Sequence, residues 1–195
     1  MSEGINITRY PIFPSSVYAL YLKDDVSEFF NSIIGSVNFG TYGADNPHTV
    51  SKFNLLDDYP EMKKLFTDIS LQVLSEVAGA KKVKMTTSWL TAIEPDETPV
   101  MHRHTNSWFS GVYYFQDSPY TGLEFKNPIE RDIDLVTKGS LLNWRLQPKK
   151  NMLIIFPSYL HHKIEKNTFD EVRHSLAFNV MPDGATGDVD SEFIY

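Results

Sequence analysis

Four histidines and one arginine in the second half of the chain form a pattern that could hold a metal ion and an anion. His102 and His104 stand two residues apart, and side chains at positions i and i+2 of a strand face the same side, so both imidazoles could converge on one ion. His161 and His162 are adjacent, so at most one of them can join the pair. Arg173 follows eleven residues after His162. Imidazole nitrogens bind zinc-like ions, and a guanidinium can hold a carboxylate through two parallel hydrogen bonds.

The run that Arg173 opens alternates in polarity. Arg173 and Ser175 share one face of a strand, and Leu176, Phe178 and Val180 share the other. Arg173 could be an ordinary solvent-exposed strand residue. A guanidinium beside a hydroxyl inside a barrel mouth would instead suit a carboxylate ligand.

A histidine pair alone is often only a hydrogen-bonded feature of a surface or core. Here five of the six histidines, including His174, fall in two separate clusters of the strand-rich half, which favours the metal-site interpretation. His48 stands alone in a polar loop, and we predict no chemical role for it.

Composition limits the classes of protein that this chain can belong to. A chain of 195 residues with 42% hydrophobic and 22% charged residues is typical of one globular domain. The net charge of -7 argues against general nucleic-acid binding, and the lack of cysteine excludes disulfides and thiolate metal sites. The first residues do not resemble a signal peptide, and no apolar run reaches the ~20 residues of a membrane span. We therefore expect a cytoplasmic protein.

The elements that must position these side chains fall into two halves. Residues 1–82 are predicted to form an N-terminal arm and helices, of which the longest has Asp58 as N-cap, Pro60 in its first turn and Gly79 as its stop. Residues 83–181 are predicted to form the β core, and 182–195 an irregular tail. The strands are expected near 83–93, 100–104, 109–116, 122–126, 140–144, 152–156, 161–165 and 172–180, the spacing of a sandwich or barrel.

Four motifs, in order and spacing, resemble the 2-oxoglutarate/Fe(II)-dependent oxygenases of phage and bacterial genomes, which are relatives of the prolyl hydroxylases. The motifs are HRHTNS at 102–107 with SGVYY at 110–114, GLEF at 122–125, FPSYLHH at 156–162 and RHSLAFN at 173–179. The resemblance covers about 85–180. It implies a mainly β fold with flanking helices, namely a double-stranded β-helix (a jelly roll, cupin-like) with one long packed helix before the barrel.

The resemblance also implies a cofactor, Fe(II), and a cosubstrate, 2-oxoglutarate. His102 matches the first iron ligand and His162 the distal histidine, which leaves His161 facing outward. Arg173 matches the residue that pairs with the far carboxylate of 2-oxoglutarate.

Two kinds of hydroxyl are expected to assist Arg173. One is the hydroxyl of Ser175, and the other is the phenol of Tyr113 or Tyr114. The remaining tyrosine is then expected to pack outside the barrel.

One residue departs from the family pattern. The usual iron site has two histidines and a carboxylate two residues after the first histidine, and here that place holds His104. Either three imidazoles bind the iron, or the acid comes from elsewhere, or His104 is not a ligand. The nearby acids are Glu124, Asp96 and Asp117, none of which has the right position. We expect His104 to be the third ligand.

The sequence thus predicts an Fe(II)/2-oxoglutarate-dependent dioxygenase that consumes O2, releases succinate and CO2, and hydroxylates a C–H bond of a peptide, a protein or a small molecule. One alternative is a cupin-like metalloenzyme without 2-oxoglutarate. Another is a non-catalytic metal-binding or assembly module. The family resemblance extends the expected location to the cytoplasm of a phage-infected bacterium, and no oligomeric state is predicted.

Overall fold

A computed structural model describes residues 7–12, 15–43, 46–117, 119–128, 143–186, 190 and 192–194. Within these ranges the chain forms two α-helices, two 3-10 turns and thirteen strands. The helices are α1 (Asp24–Ile33) and α2 (Pro60–Ala78), and the 3-10 turns are Ile34–Ser36 and Leu55–Asp58. The strands are β1 (Ile7–Ile12), β2 (Ser15–Tyr21), β3 (Gly40–Thr41), β4 (Thr49–Val50), β5 (Val83–Ile93), β6 (Phe109–Tyr114), β7 (Leu123–Lys126), β8 (Asn143–Leu146), β9 (Met152–Pro157), β10 (His162–Ile164), β11 (Arg173–Pro182), β12 (Ala185–Thr186) and β13 (Phe193–Ile194).

Two antiparallel sheets make up the body of the fold. The larger sheet has the strand order β1-β2-β9-β6-β11-β5-β4-β3, and the smaller one has the order β10-β7-β8. From β8 to β11, strands that follow one another in the chain alternate between the two sheets, as in a jelly roll. The mainly β class and the jelly-roll architecture predicted from the sequence are confirmed.

Apolar side chains on the two faces of the larger sheet form separate layers. One layer joins the sheet to the helices, and its largest members are Phe30, Phe66, Tyr113, Phe115 and Phe178. The other fills the space between the sheets and includes Val112, Tyr114, Tyr120, Phe125, Ile154 and Phe156. Burying each such side chain contributes about 1.5–3 kcal/mol. Successive residues of one strand therefore enter different layers.

The long helix before the barrel is confirmed, and so is its stop: Gly79 caps α2 with a positive φ of 66°. The prediction of Asp58 as N-cap is wrong, because Tyr59 occupies that position and no side chain caps the helix. Asp58 instead ends a 3-10 turn and pairs with Lys52. Pro60 supplies the fixed φ and the missing N–H that suit a first helical position. In the described part of the chain, neither helix has the length and apolarity to cross a membrane.

Two other predicted segments differ from the structure. The strand expected at 100–104 is reduced to a single bridge between His102 and His162, because only these two residues exchange backbone hydrogen bonds. Of the strand expected at 140–144, residues 140–142 lie outside the described ranges, and the described part begins β8. The tail contains the short pair β12 and β13, with 187–189, 191 and 195 outside the described ranges.

Candidate active site

Backbone pairing between two distant segments brings two imidazoles together. The N–H of His102 donates to the carbonyl of His162 at 3.0 Å, and the N–H of His162 donates back at 2.8 Å. The Nδ1 atom of each ring lies near the carbonyl two residues earlier, Val100 at 2.8 Å and Leu160 at 2.9 Å. A carbonyl can only accept, so the proton sits on Nδ1 and the Nε2 lone pair of each ring is available.

His104 completes a triad. Its N–H donates to the Ser158 carbonyl at 3.1 Å, and its Nε2 lies 3.3 Å from Nε2 of His162. The His104 ring stacks on that of His162, with ring centroids 5.1 Å apart. One nitrogen from each of His102, His104 and His162 lies within 4.8 Å of the other two. The three predicted metal ligands therefore lie close enough together to bind one ion.

The triad is uncharged in the metal-free protein. Burial lowers the pKa of all three rings, that of His104 to about 4 and that of His162 well below its usual value. The charge of His102 lowers the pKa of both His104 and His162 further, and that of His104 acts on His162 in the same direction. Neutral imidazoles are the form that binds metal ions, and iron is among the ions that imidazole suits. The donor set therefore fits Fe(II).

No carboxylate joins this cluster within the described residues. Each acid considered as an alternative ligand forms an ion pair with a basic side chain instead. Glu124 pairs with Arg145 at 3.1 Å and Lys163 at 3.6 Å, Asp96 with Lys166 at 2.7 Å, and Asp117 with Lys150 at 3.0 Å. Because β7 alternates, Leu123 and Phe125 enter the layer between the sheets, whereas Glu124 faces away from it.

Arg173 is buried with unused hydrogen-bond donors. Its side chain is 2% exposed, and one Nη1–H donates to Thr121 Oγ1 at 2.6 Å. Its Nε and Nη2 have no partner among the described residues, and neither has the buried hydroxyl of Tyr114. Leaving a buried donor unpaired costs about 1–3 kcal/mol, more for a charged group. These donors therefore fit an anionic ligand that accepts several hydrogen bonds, such as a carboxylate.

The two tyrosines considered as partners of Arg173 lie in different layers. The Tyr113 ring contacts Phe30 and Phe66 under the helices, and its hydroxyl donates to Asn151 at 3.3 Å. Tyr114 enters the layer between the sheets, where the charge of Arg173 acts to lower the pKa of its phenol against the larger effect of burial, which raises it. The structure thus places Tyr114, rather than Tyr113, on the side of Arg173.

Known proteins resemble the chain in sequence and in fold. The family model described as "Putative 2OG-Fe(II) oxygenase" matches residues 87–179, which include the triad, both tyrosines, Arg173 and Ser175. This match supports a 2OG-Fe(II) oxygenase family for the chain. It indicates a 2-oxoglutarate-dependent non-heme iron oxygenase.

Solved structures share the fold of this oxygenase at low sequence identity. HygX from Streptomyces hygroscopicus, with nickel and 2-oxoglutarate bound, has 11% identity and a TM-score of 0.64, with 85% of this chain and 82% of that chain covered. The carbocyclase SnoK from nogalamycin biosynthesis has 15% identity and a TM-score of 0.67, with 87% and 81% covered. A Pseudomonas putida prolyl-4-hydroxylase has 12% identity and a TM-score of 0.56, with 92% and 94% covered. None of the curated proteins matches the sequence.

A cavity of about 420 Å³ opens beside the triad of the oxygenase. All three histidines and Ser175 line it, but Arg173 and Tyr114 do not. One wall is aromatic, since Trp89 contacts His104 with ring centroids 5.6 Å apart and Phe53 contacts Trp89 at 5.5 Å. The cavity therefore reaches Ser175, the inward-facing position of β11 next to Arg173, but not Arg173 itself.

His48, for which sequence analysis predicts no chemical role, also lines the cavity. Its side chain is 7% exposed, burial lowers its pKa, and its Nδ1 has no partner in the described part of the chain. A single histidine in a polar loop has no periodicity that would reveal its direction. Asn179 was also missed, although it follows Arg173 and Ser175 in the same alternation and is buried beside His104.

Proposed function

We propose that the oxygenase hydroxylates a C–H bond of its substrate and converts 2-oxoglutarate and O2 to succinate and CO2. His102, His104 and His162 would hold Fe(II), and Arg173, Ser175 and Tyr114 would hold 2-oxoglutarate. Bound iron would supply the activation of O2, which leaves one oxygen atom in succinate and one in the product. The residues of the chain bind and orient the reactants and exclude water from them.

One observation carries the 2-oxoglutarate part of the proposal: the unpaired donors of buried Arg173 and Tyr114. Arg173 and Ser175 lie on the inward face of β11, and the same face continues to Asn179 beside the triad. A ligand with a carboxylate at each end could bind the metal with one end and Arg173 with the other. To reach Arg173 it must displace side chains at the end of the cavity beside Ser175.

The cavity also indicates what the substrate can be. A volume of about 420 Å³ is that of a small-molecule site and has to hold 2-oxoglutarate as well. We therefore propose that a small molecule, or one side chain of a peptide or protein, enters along the aromatic wall of Phe53 and Trp89. The unpaired Nδ1 of His48 would give it one polar contact. A cytoplasmic location stays a prediction.

The decisive experiment follows the oxygen atoms. Metal-free protein is loaded anaerobically with Fe(II) and 2-oxoglutarate and then exposed to ¹⁸O2, and succinate is analysed by mass spectrometry. We expect one labelled oxygen in succinate, formed slowly even without substrate. His162→Ala is the control, since it removes a buried ligand and should form no labelled succinate. Iron binding without any succinate in the native protein would contradict the proposal.

A cupin-like metalloenzyme that uses no keto acid is the second candidate. It is favoured by the all-imidazole donor set and by the position of Arg173 outside the cavity lining. In that case 2-oxoglutarate would change neither the visible spectrum nor the thermal stability of the iron-loaded protein.

A further inference from the structure

The side chain of Asn179 connects His104 to a set of buried hydroxyls. It is 7% exposed, and its Oδ1 accepts from Ser110 Oγ at 2.8 Å. Its Nδ2 donates to Thr87 Oγ1 at 2.9 Å and also faces Nδ1 of His104 at 3.5 Å. Ser110 Oγ lies 2.8 Å from Ser158 Oγ. Among the described side chains, only Asn179 forms a hydrogen bond with Nδ1 of His104.

The three imidazoles differ in the group that contacts their Nδ1 atom. Carbonyl oxygens behind His102 and His162 keep the proton on Nδ1, the tautomer in which Nε2 can bind a metal. Behind His104 stands an amide N–H, which can only donate. It favours a His104 ring without a proton on Nδ1. The proton then sits on Nε2, from where it can donate to the lone pair of His162 Nε2 at 3.3 Å. In this arrangement both nitrogens of His104 have hydrogen-bond partners without a metal. The proton on Nε2 prevents that atom from binding one.

Binding a metal through His104 Nε2 requires the proton to move to Nδ1, where the N–H of Asn179 would oppose it. Rotating the Asn179 amide by half a turn presents Oδ1 to His104 instead. Its other neighbours, Thr87 and Ser110, are hydroxyls, and a hydroxyl can either donate or accept. Thr87 would then donate to Oδ1, Nδ2 would donate to Ser110, and Ser110 to Ser158. Every contact is kept with its direction reversed.

We propose that Asn179 is a positioning residue that selects the tautomer of His104, and that its amide reverses when a metal binds. The inference rests on the proposed metal site. Thr87 and Ser110 are hydroxyls that can take the reversed roles, so their contacts with Asn179 persist. One N–H of the Asn179 amide and the O–H of Ser158 lose their acceptors in this cluster, a cost that metal binding through His104 has to offset. Without metal, the hydrogen bond between His104 and His162 would join the two rings of the triad. With metal bound, Asn179 Oδ1 would accept the hydrogen bond from Nδ1–H of His104.

Histidine tautomers can be read directly by long-range ¹H–¹⁵N NMR correlations of the ring nitrogens. We expect metal-free native protein to show His102 and His162 protonated on Nδ1, and His104 on Nε2. With Zn(II) as a diamagnetic probe, His104 should change to the Nδ1-protonated form. A metal-free His104 already protonated on Nδ1, or a Zn(II)-bound one that does not change, would overturn the inference.

Two variants separate positioning from mere packing. Asn179→Asp offers only acceptors, so His104 should be protonated on Nδ1 even without metal, and Zn(II) affinity should equal or exceed that of the native protein. Asn179→Ala removes the acceptor, and we expect Zn(II) affinity to fall about 10–100-fold, as for other groups that orient metal-bound histidines. Equal affinity and equal tautomers in native protein and Asn179→Ala would show that Asn179 only packs.

Asn167→Ala is the matched control. Asn167 is also fully buried, and its Nδ2 donates to the carbonyls of Ile93 and Glu171, away from the triad. Its loss should lower the unfolding midpoint but leave Zn(II) affinity and the His104 tautomer unchanged. If native protein binds no Zn(II) at all, the proposed metal site fails. If it binds but Asn179→Ala binds equally well, only the role of Asn179 fails.

Discussion

Replacing Arg173 with methionine should separate 2-oxoglutarate binding from metal binding. The variant keeps a long apolar side chain but removes the buried Nε–H and Nη2–H donors that have no partner in the described protein. If both donate to the far carboxylate of 2-oxoglutarate, each charge-assisted bond contributes about 1.5–3 kcal/mol. Their loss, about 3–6 kcal/mol, corresponds to an affinity lowered by about 10²–10⁴-fold. Metal affinity without the keto acid should not fall, because Arg173 is outside the triad and its positive charge can only oppose a bound cation.

The same variant should not destabilise the ligand-free protein. Arg173 is 2% exposed and its only hydrogen bond in the described structure is to Thr121. A buried charge without partners has lost its hydration uncompensated, so replacing it with an apolar side chain of similar volume should not destabilise the fold. We therefore expect the thermal midpoint of Arg173→Met without ligand to stay or rise, and the rise that 2-oxoglutarate causes in native protein to disappear.

The assay is an anaerobic titration of the Fe(II)-loaded protein with the keto acid, followed by the visible charge-transfer absorption. A second titration uses 2-oxopentanoate, which has a methyl group in place of the far carboxylate. Native protein should strongly prefer 2-oxoglutarate, and Arg173→Met should bind both compounds alike. Arg145→Met, which removes a side chain that is 65% exposed, is the control and should behave as native protein. A loss of affinity in Arg173→Met that is equal for both compounds would refute the pairing of Arg173 with the far carboxylate.

Three further predictions use other features of the fold. The fold lowers the pKa of His104 from its usual 6.5 to about 4, so between these pH values the unfolded chain binds a proton that the folded chain does not. Denaturant melts of metal-free protein should therefore show this part of the stability in full above about pH 6.5 and its loss as the pH falls toward 4. A stability that does not change over this range would contradict the prediction. Tyr114→Phe should weaken 2-oxoglutarate binding by about 0.5–1.5 kcal/mol in the titration above, whereas Tyr113→Phe should leave it unchanged. Gly111→Ala would put a methyl carbon into the ring of Phe178, so urea melts should show a loss of about 1–3 kcal/mol in the free energy of unfolding. An unchanged melt would mean that the ring can move aside.

Local periodicity explains what the sequence could predict. The alternation of β11 placed Arg173 and Ser175 on one face because side chains of a strand alternate, whatever the strand packs against. The bounds of β5, Val83–Ile93, agree with the prediction because a continuous β-prone run stands between two turns. The stop of α2 at Gly79 follows from the left-handed backbone that glycine adopts easily. In each case the decisive information lies within a few residues.

Features that depend on distant partners could not be predicted in this way. Alternation shows that Tyr113 and Tyr114 face opposite sides, but both sides of β6 are apolar layers, so the sequence cannot say which one contains Arg173. The segment 100–104 is too weakly paired to form a strand, since only His102 finds a complete partner, sixty residues later in His162. These outcomes are set by the order of strands in the sheets.

In the proposed site His104 takes the place of the usual carboxylate, which changes the charge balance. Three neutral imidazoles leave the 2+ charge of bound iron uncompensated, and Arg173 adds a further positive charge in the same buried region. A dianionic keto acid reduces the sum from about +3 to about +1, whereas the usual carboxylate ligand would already have removed one unit before it bound. Metal and 2-oxoglutarate should therefore bind with positive coupling, each raising the affinity for the other by the same factor. The unpaired donors of Arg173 and the uncharged triad are thus two halves of one incomplete site, and a ligand with a carboxylate at each end completes both.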